Sequence, residues 1–218
     1  MYDIEAAFDR QILDVRQDRP SVVFIEPLDG RVLRAVCHLT RFARPVLLAS
    51  EAAVREAAAR EIPDMDPSRL AFALSECAFL APETRPDLCE EFATFLSNTW
   101  EGRGITRDLD EARVRVREPG LFGILAARLG HADIVVGGAR HEPKSFFRPM
   151  THLLATRPVV AQAGLFVLPD SHPDDMFPRN IVVFGDVGVN ATMTPEVLAE
   201  VAVGTCMMAR DLIPEDVL

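Results

Sequence analysis

The amino-acid sequence predicts an α/β fold built on a parallel sheet. Three observations point there: short buried-strand runs alternate with helical patterns, half of the residues are apolar (49%), and strand, helix and strand follow one another at βαβ spacing near the start of the chain. At 218 residues the chain has room for one large domain or two small ones with a packed core.

The elements can be justified in order. Ile4, Phe8, Ile12 and Val15 recur at helical spacing, which predicts an amphipathic helix over 4–15 that packs on the body of the fold. Ser21 to Ile25 is an apolar, β-branched run and reads as a buried strand, followed by a helix over 29–42 and a second strand over 45–49. A helix over 51–60 comes next. The Pro-punctuated segment Ile62 to Pro67 then leads to an expected short strand near Leu70 to Leu74.

Helical pattern resumes over 86–99 and is broken by Gly102-Arg103-Gly104, after which Thr106 can cap a helix reaching Arg115. The helix over 121–129 meets Gly130, a residue suited to a C-cap, and Ala132 to Val136 is the next strand. Gly137 and Gly138 close it. Pro143 suits the first turn of a helix running to Ala155. Two apolar runs, 159–168 and 181–184, precede a helix over 195–210 capped by Thr194, and the segment 214–218 reads as the opening of another strand. We place the domain boundary so that 1–156 form a first α/β domain and 157–218 part of a second.

Charge and composition exclude several functions. A net charge of −10 disfavours a nucleic-acid surface, although a few arginines in one cleft can still bind an anion. Cys37, Cys77, Cys89 and Cys206 are widely spaced, with no CxxC pair and no zinc-like histidine spacing, so they read as buried or incidental thiols. No segment has the apolar length to span a membrane, and the N-terminal residues lack a secretory pattern. The simple expectation is a cytoplasmic protein with no tightly bound cofactor and no metal.

The best site candidate is the segment from Gly137 to Arg148. It joins the carboxyl end of a strand to a helix start, the position at which open α/β sheets bind ligands. Backbone amides at the helix start, with Arg140, Lys144 and Arg148, could hold a phosphate. A glycine-tolerant turn carrying solvated basic residues is the plainer alternative. His141 is the one histidine of that loop, and for His38, His131, His152 and His172 a surface or satisfied-core role is expected. Glu90-Glu91 and the acidic run Asp108 to Glu111 read as solvated helix faces.

Three segments carry a family resemblance by their order and spacing. Val22 to Ala35, containing Arg31-Val32-Leu33-Arg34-Ala35, is similar to the first strand, acidic turn and following helix of the phosphate acetyl/butyryl transferase family. Gly130 to Pro149 is similar to its strand, Gly-Ala-x-His loop and Arg-Pro helix. Asp186 to Ala202, with Asp186-Val187-Gly188-Val189-Asn190 and Thr194-Pro195-Glu196, resembles its Asp-x-x-Val-Asn block and is the most specific of the three.

The resemblance implies a three-layer parallel-sheet domain of the isocitrate/isopropylmalate dehydrogenase-like type followed by an incomplete second α/β domain. It also implies transfer of an acyl group between acyl phosphate and coenzyme A, with coenzyme A as a substrate. Arg148 would then be the phosphate-facing arginine, with Gly138 and His141 shaping its loop. Trp100 stands where the family pattern has a substrate-binding arginine, and Arg103 could substitute. Pro143-Lys144-Ser145 replaces the usual Thr-Ala-Asp run.

Family members continue beyond the equivalent of Leu218 into the part that holds the serine, arginine and aspartate assisting thiol activation, so no residue here takes those catalytic roles. The implied partners are acyl phosphate or phosphate, coenzyme A, and a homo-oligomer mate or complementing chain. Three readings follow: a shortened or split acyltransferase, a non-catalytic binding or regulatory protein that retains the fold, or an incomplete gene product with no separate role.

Overall fold

A computed structural model describes residues 19–102, 104, 105, 108–140, 142–155, 159–169 and 180–213, and only the backbone of Pro143, Lys144 and Ser145. The expected elements over 4–15 and 214–218, and the Thr106 cap, lie outside the described residues. Those described fall into two compact units, one reaching to Leu154 and the other starting at Ala155.

The first unit begins with strand β1 (Ser21–Phe24), helix α1 (Gly30–Leu39) and strand β2 (Arg44–Leu47). The βαβ expectation holds, because Ser21 pairs with Arg44 and Phe24 with Leu47 in parallel. Helices α2 (Glu51–Glu61) and α3 (Pro67–Ser75) lead to the short strand β3 (Ala78–Phe79). Helices α4 (Pro86–Gly102), α5 (Leu109–Arg115) and α6 (Pro119–Arg128) come next, then strand β4 (Ile134–Val136) and helix α7 (Pro143–Leu153). The four strands form one parallel sheet in the order β3-β2-β1-β4.

Both faces of the central strands are covered, which is why β1 reads as an unbroken apolar run rather than an alternating one. Val22, Phe24 and Leu47 pack with Leu33 and Val36 of α1, Val54 and Ala58 of α2, and Leu74 of α3. Val23, Ile25, Val46 and Leu48 face the other way, into Leu88, Phe92 and Leu96 of α4, Phe122 and Leu125 of α6, and Phe146 of α7. Phe92 and Phe122 meet edge to face at 4.9 Å, and neither is exposed. Helix α6 lies close on the sheet because Gly123 has no side chain: a Cβ there would come within 2.6 Å of Ile25 Cγ2.

One expected strand is a helix. Leu70 to Leu74 belongs to α3, whose start carries stronger local signals than its apolar run suggests. Asp66 accepts a 2.8 Å hydrogen bond from the Arg69 amide, and Pro67 sits in the first turn, a cap and starter pair that outweighs a short apolar stretch. The helix buries Ala73 and Leu74 and turns Phe72 to solvent. The strand of this region is β3, four residues further on. Helix α5 is capped by Asp108, which accepts from the Glu111 amide at 2.8 Å.

The end of α6 bears out the Gly130 expectation. Gly130 has φ +82°, and the amides of Gly130 and His131 return to the carbonyls of Ala127 and Ala126, the paired bonds of a Schellman motif.

The second unit holds an antiparallel pair, β5 (Ala163–Val167) and β6 (Ile181–Gly185), in which Ala163 faces Gly185 and Val167 faces Ile181. Helix α8 (Pro195–Leu212) follows. Thr194 caps it by accepting from the Val197 amide. The helix packs on the pair through Val201, and a Cβ at Gly185 would meet Thr205 Oγ1 at 2.5 Å. At the exit of β6, Asp186 takes φ +51° and accepts from the Val189 amide at 3.0 Å. It also accepts from the side chain of Asn190 at 2.9 Å, and Asn190 donates to the Val160 carbonyl at 2.9 Å. The Asp-x-x-Val-Asn block is thus a built turn that ties the segment before β5 to the end of β6.

Candidate functional site

The order β3-β2-β1-β4 has a switch point between β1 and β4. The chain leaves β1 into α1 on one face of the sheet and leaves β4 toward α7 on the other. Connections that diverge in this way open a crevice at the carboxyl ends of the strands, where α/β proteins bind ligands. The sequence places Glu26, Asp29 and Arg31 after β1, and Gly137 to Arg140 after β4.

These two segments are tied together. The Glu26 carboxylate accepts from three successive amides: Gly138 at 2.9 Å, Ala139 at 2.6 Å and Arg140 at 2.5 Å. Asp29 caps α1 by accepting from the Arg31 amide. It also accepts from the Arg31 guanidinium at 2.9 Å through both oxygens and from Arg140 Nε at 2.7 Å. Arg31 in turn donates to the Ala139 carbonyl at 2.6 Å. Glu26 and Asp29 are 8% and 5% exposed, while the Arg31 and Arg140 side chains are 72% and 62% exposed. The carboxylates therefore lie inside and the guanidiniums outside.

The electrostatics follow from that layering. Hydrogen bonds from Arg31 and then Arg140 hold the Asp29 carboxyl well below the usual carboxylate range, against the opposing effect of burial. The same contacts with Asp29 raise both guanidiniums above their ordinary value.

The loop itself depends on glycine. Gly138 has φ +104°, a conformation that a side chain disfavours, and Gly137 lies directly against Ile25 with no room for a Cβ.

Of the residues expected to form the site, Gly138 lies in this loop. Arg148 is exposed on the second turn of α7. His141 and Arg103 lie outside the described residues, as does the side chain of Lys144. Ahead of the helix start, the amides of Gly138, Ala139 and Arg140 are engaged by Glu26, and Arg140 points to Asp29. Sequence reading missed Glu26, Asp29 and Arg31 as parts of the site. Their signal was the acidic turn between β1 and α1, two carboxyl groups in a segment whose neighbours are apolar.

Other polar candidates have structural partners. Glu90 pairs with Arg113 at 2.5 Å, and Glu91 lies 3.0 Å from His131. His38 meets the ring of Phe42 edge to face at 5.7 Å, His152 is exposed, and His172 lies outside the described residues. Trp100 is partly buried against the core that Phe92 and Phe122 share. Cys37 and Cys89 are buried, Cys77 is half-buried and Cys206 is exposed. Among the described residues no cluster of histidine, cysteine and carboxylate side chains could hold a metal ion, and no helix is long and apolar enough to cross a membrane.

Fold and site together define an α/β protein with a parallel four-strand sheet and an arginine-bearing switch-point loop. Residues 7–217 match the family model described as phosphate acetyl/butaryl transferase, and the chain belongs to that family. It is 28% identical over 202 residues to the phosphate acetyltransferase of Clostridium acetobutylicum, covering 90% of this chain and 56% of the relative. It is 26% identical over 206 residues to that of Staphylococcus aureus, covering 91% and 57%.

A crystal structure of a phosphotransacetylase from Streptococcus pyogenes superposes with a TM-score of 0.72 at 23% identity, over 98% of this chain and 60% of that one. The EutD phosphotransacetylase from Staphylococcus aureus gives 0.69 at 22%, over 94% and 57%. The chain thus spans a little over half the length of these relatives.

Proposed function

We propose that this protein binds phosphate, an acyl phosphate or coenzyme A at the carboxyl ends of β1 and β4, and that it serves the transfer of an acyl group between acyl phosphate and coenzyme A. The observation that carries this reading is the strand–loop–helix segment from Gly130 to Pro149. It resembles the family pattern in sequence, apart from Pro143-Lys144-Ser145, and its strand β4 ends at the switch point of the sheet. Arg148 is the phosphate-directed group, because a guanidinium offers a fork of donors to phosphate oxygens. Gly138, His141, Lys144 and Arg103 complete the proposed anion site.

The chemistry of such a transfer is attack of a thiolate on an acyl carbonyl, with cationic donors stabilising the oxyanion and the departing phosphate. The groups read here supply the anion-binding half of that task. The thiol-activating serine, arginine and aspartate are not assigned to residues of this chain, which covers 56% of the length of its Clostridium acetobutylicum relative. In this reading residues 1–156 are a first three-layer domain of the isocitrate/isopropylmalate dehydrogenase-like type, and 157–218 belong to an incomplete second α/β domain.

The second unit supports an oligomeric or complemented state. Phe166, Phe184, Leu198, Val203 and Met207 are all exposed there, a pattern that suits cover by a second copy or a complementing chain. A cytoplasmic location accords with the metabolic substrates.

A second reading, a binding protein without catalysis, is favoured by Trp100. It occupies the position of a substrate-binding arginine in the family pattern, and here it is spent on core packing.

Coenzyme A thioester formation from acetyl phosphate and from butyryl phosphate tests the pair of readings, with Arg148→Ala as control and phosphate titration calorimetry alongside. Turnover lost in the control supports the transferase. Binding without turnover supports the binding protein. Phosphate affinity unchanged in Arg148→Ala removes that arginine from the site; a charge-assisted contact predicts a loss of at least about 1 kcal/mol.

A further inference from the structure

Three consecutive amides converging on one point form a cradle of the kind that receives a ligand's phosphate in other loops. In this protein the Gly138, Ala139 and Arg140 amides close instead on a carboxylate of the same chain, Glu26. That carboxylate is 8% exposed, so the cradle faces inward. The outer side of the loop is fastened to the same segment, by Arg140 to Asp29 and by Arg31 to the Ala139 carbonyl. The loop then runs directly into α7, which carries Arg148.

We infer that Glu26 is the positioning residue of this loop: it fills the amide cradle from within, so an anion bound at the switch point meets side chains rather than loop amides, and the setting of Arg148 depends on it. The inference rests on the anion-site reading above. The three bonds need two acceptor oxygens on one group. A glutamine of the same size offers one acceptor oxygen and turns an NH2 toward at least one N–H donor, so Glu26→Gln takes away the charge and breaks part of the anchor without removing volume.

Hydrogen exchange at the three amides reads the anchor directly, whatever the ligand. Glu26→Gln is expected to speed exchange at Gly138, Ala139 and Arg140 by about tenfold or more, as loss of charge-assisted bonds implies, while amides of α4 keep their wild-type rates. Titration with inorganic phosphate is expected to show severalfold weaker binding in Glu26→Gln, with no further loss in Glu26→Gln/Arg148→Ala beyond Arg148→Ala alone, because the two act as one unit.

Unchanged exchange in the variant overturns the anchor. Tighter phosphate binding in the variant overturns it too, since the cradle would then be the ligand's place and Glu26 its competitor. A wild type that binds no phosphate defeats the anion-site reading, and the exchange comparison still decides whether Glu26 holds the loop. Should Glu26→Gln fail to fold, Gly138→Ala attacks the same cradle from the loop side, where φ is +104°. It should produce the same rise in exchange at Ala139 and Arg140, and its failure to do so counts against the inference.

Discussion

Replacing Asp29 by asparagine and by alanine separates two jobs that the structure gives one side chain. Asp29 caps α1 through the Arg31 amide and pairs with the guanidiniums of Arg31 and Arg140. Asparagine caps a helix about as well as aspartate and has its size, so Asp29→Asn removes mainly the charge. Alanine removes both, and loss of a cap costs about 1 kcal/mol.

The charge-assisted bonds fall at the low end of their usual range, about 1.5 kcal/mol in total, because the two guanidiniums remain largely exposed and water replaces what they lose. We therefore expect Asp29→Asn to destabilise by about 1 to 1.5 kcal/mol and Asp29→Ala by about 2 to 2.5 kcal/mol. Urea unfolding at neutral pH, with an unchanged slope across the three proteins, measures both.

The pH dependence has a definite sign. The folded Asp29 carboxyl titrates below its ordinary value of 3.8. The pairing therefore stabilises fully above that value and is lost as pH falls toward the depressed folded value. The gap between wild type and Asp29→Asn should close in acid, because asparagine does not titrate. Equal losses in the two variants would refute the capping role, and a gap that stays constant into acid would refute the charge pairing.

Two further predictions concern the core and the thiols. Phe92→Ala should cost about 3 to 5 kcal/mol in urea unfolding, since Phe92 is fully buried against Phe122 between α4 and α6; a loss under about 1 kcal/mol would mean that this core is looser than its packing indicates. Under native conditions a thiol reagent should modify Cys206 on the exposed face of α8 well before the others. Burial, with Cys37 nearby, pushes the Cys77 thiol up to about 12, and burial also raises Cys37 and Cys89. Mass mapping of the first modified peptide checks the order.

The sheet was legible where side chains alone decide structure. Val22, Val23 and Phe24 are apolar on both faces because helices cover both, and the next parallel strand is found one helix away, as such a run requires. Leu70 to Leu74 was misread because five apolar residues fit a buried strand and a short helix equally; the arbiter was Asp66-Pro67, four residues upstream.

At the site, the loop after β4 was legible from its glycines and its place at a strand end. The role of Glu26 was not. The acidic turn marks Glu26 as unusual, but nothing local in the sequence says that it serves amides 112 to 114 residues away; only the β1–β4 pairing brings the two segments together. The same holds for Asp29, whose cap is a local signal but whose bond to Arg140 is a tertiary one.

In the proposed function, binding and turnover are separable. The Glu26–Asp29–Arg140 cluster lies wholly within the first unit, whose sheet is packed on both faces apart from Ile134 and Val136 on the edge strand β4. The second unit is different. Among its described residues only Val201 and Ile213 are buried hydrophobics, while Phe166 and Phe184 stack edge to face at 5.5 Å with about half of each ring in solvent. The described residues of this unit draw little stability from their own burial.

The proposed anion binding at the switch point thus depends on elements of the first unit. Acyl transfer needs thiol-activating groups that have no assignment here, in a chain that spans 56% of its Clostridium acetobutylicum relative. Phosphate affinity and thioester formation therefore report on different parts of the fold. Phosphate binding without turnover would place the deficit in those unassigned groups rather than in the loop that Glu26 holds.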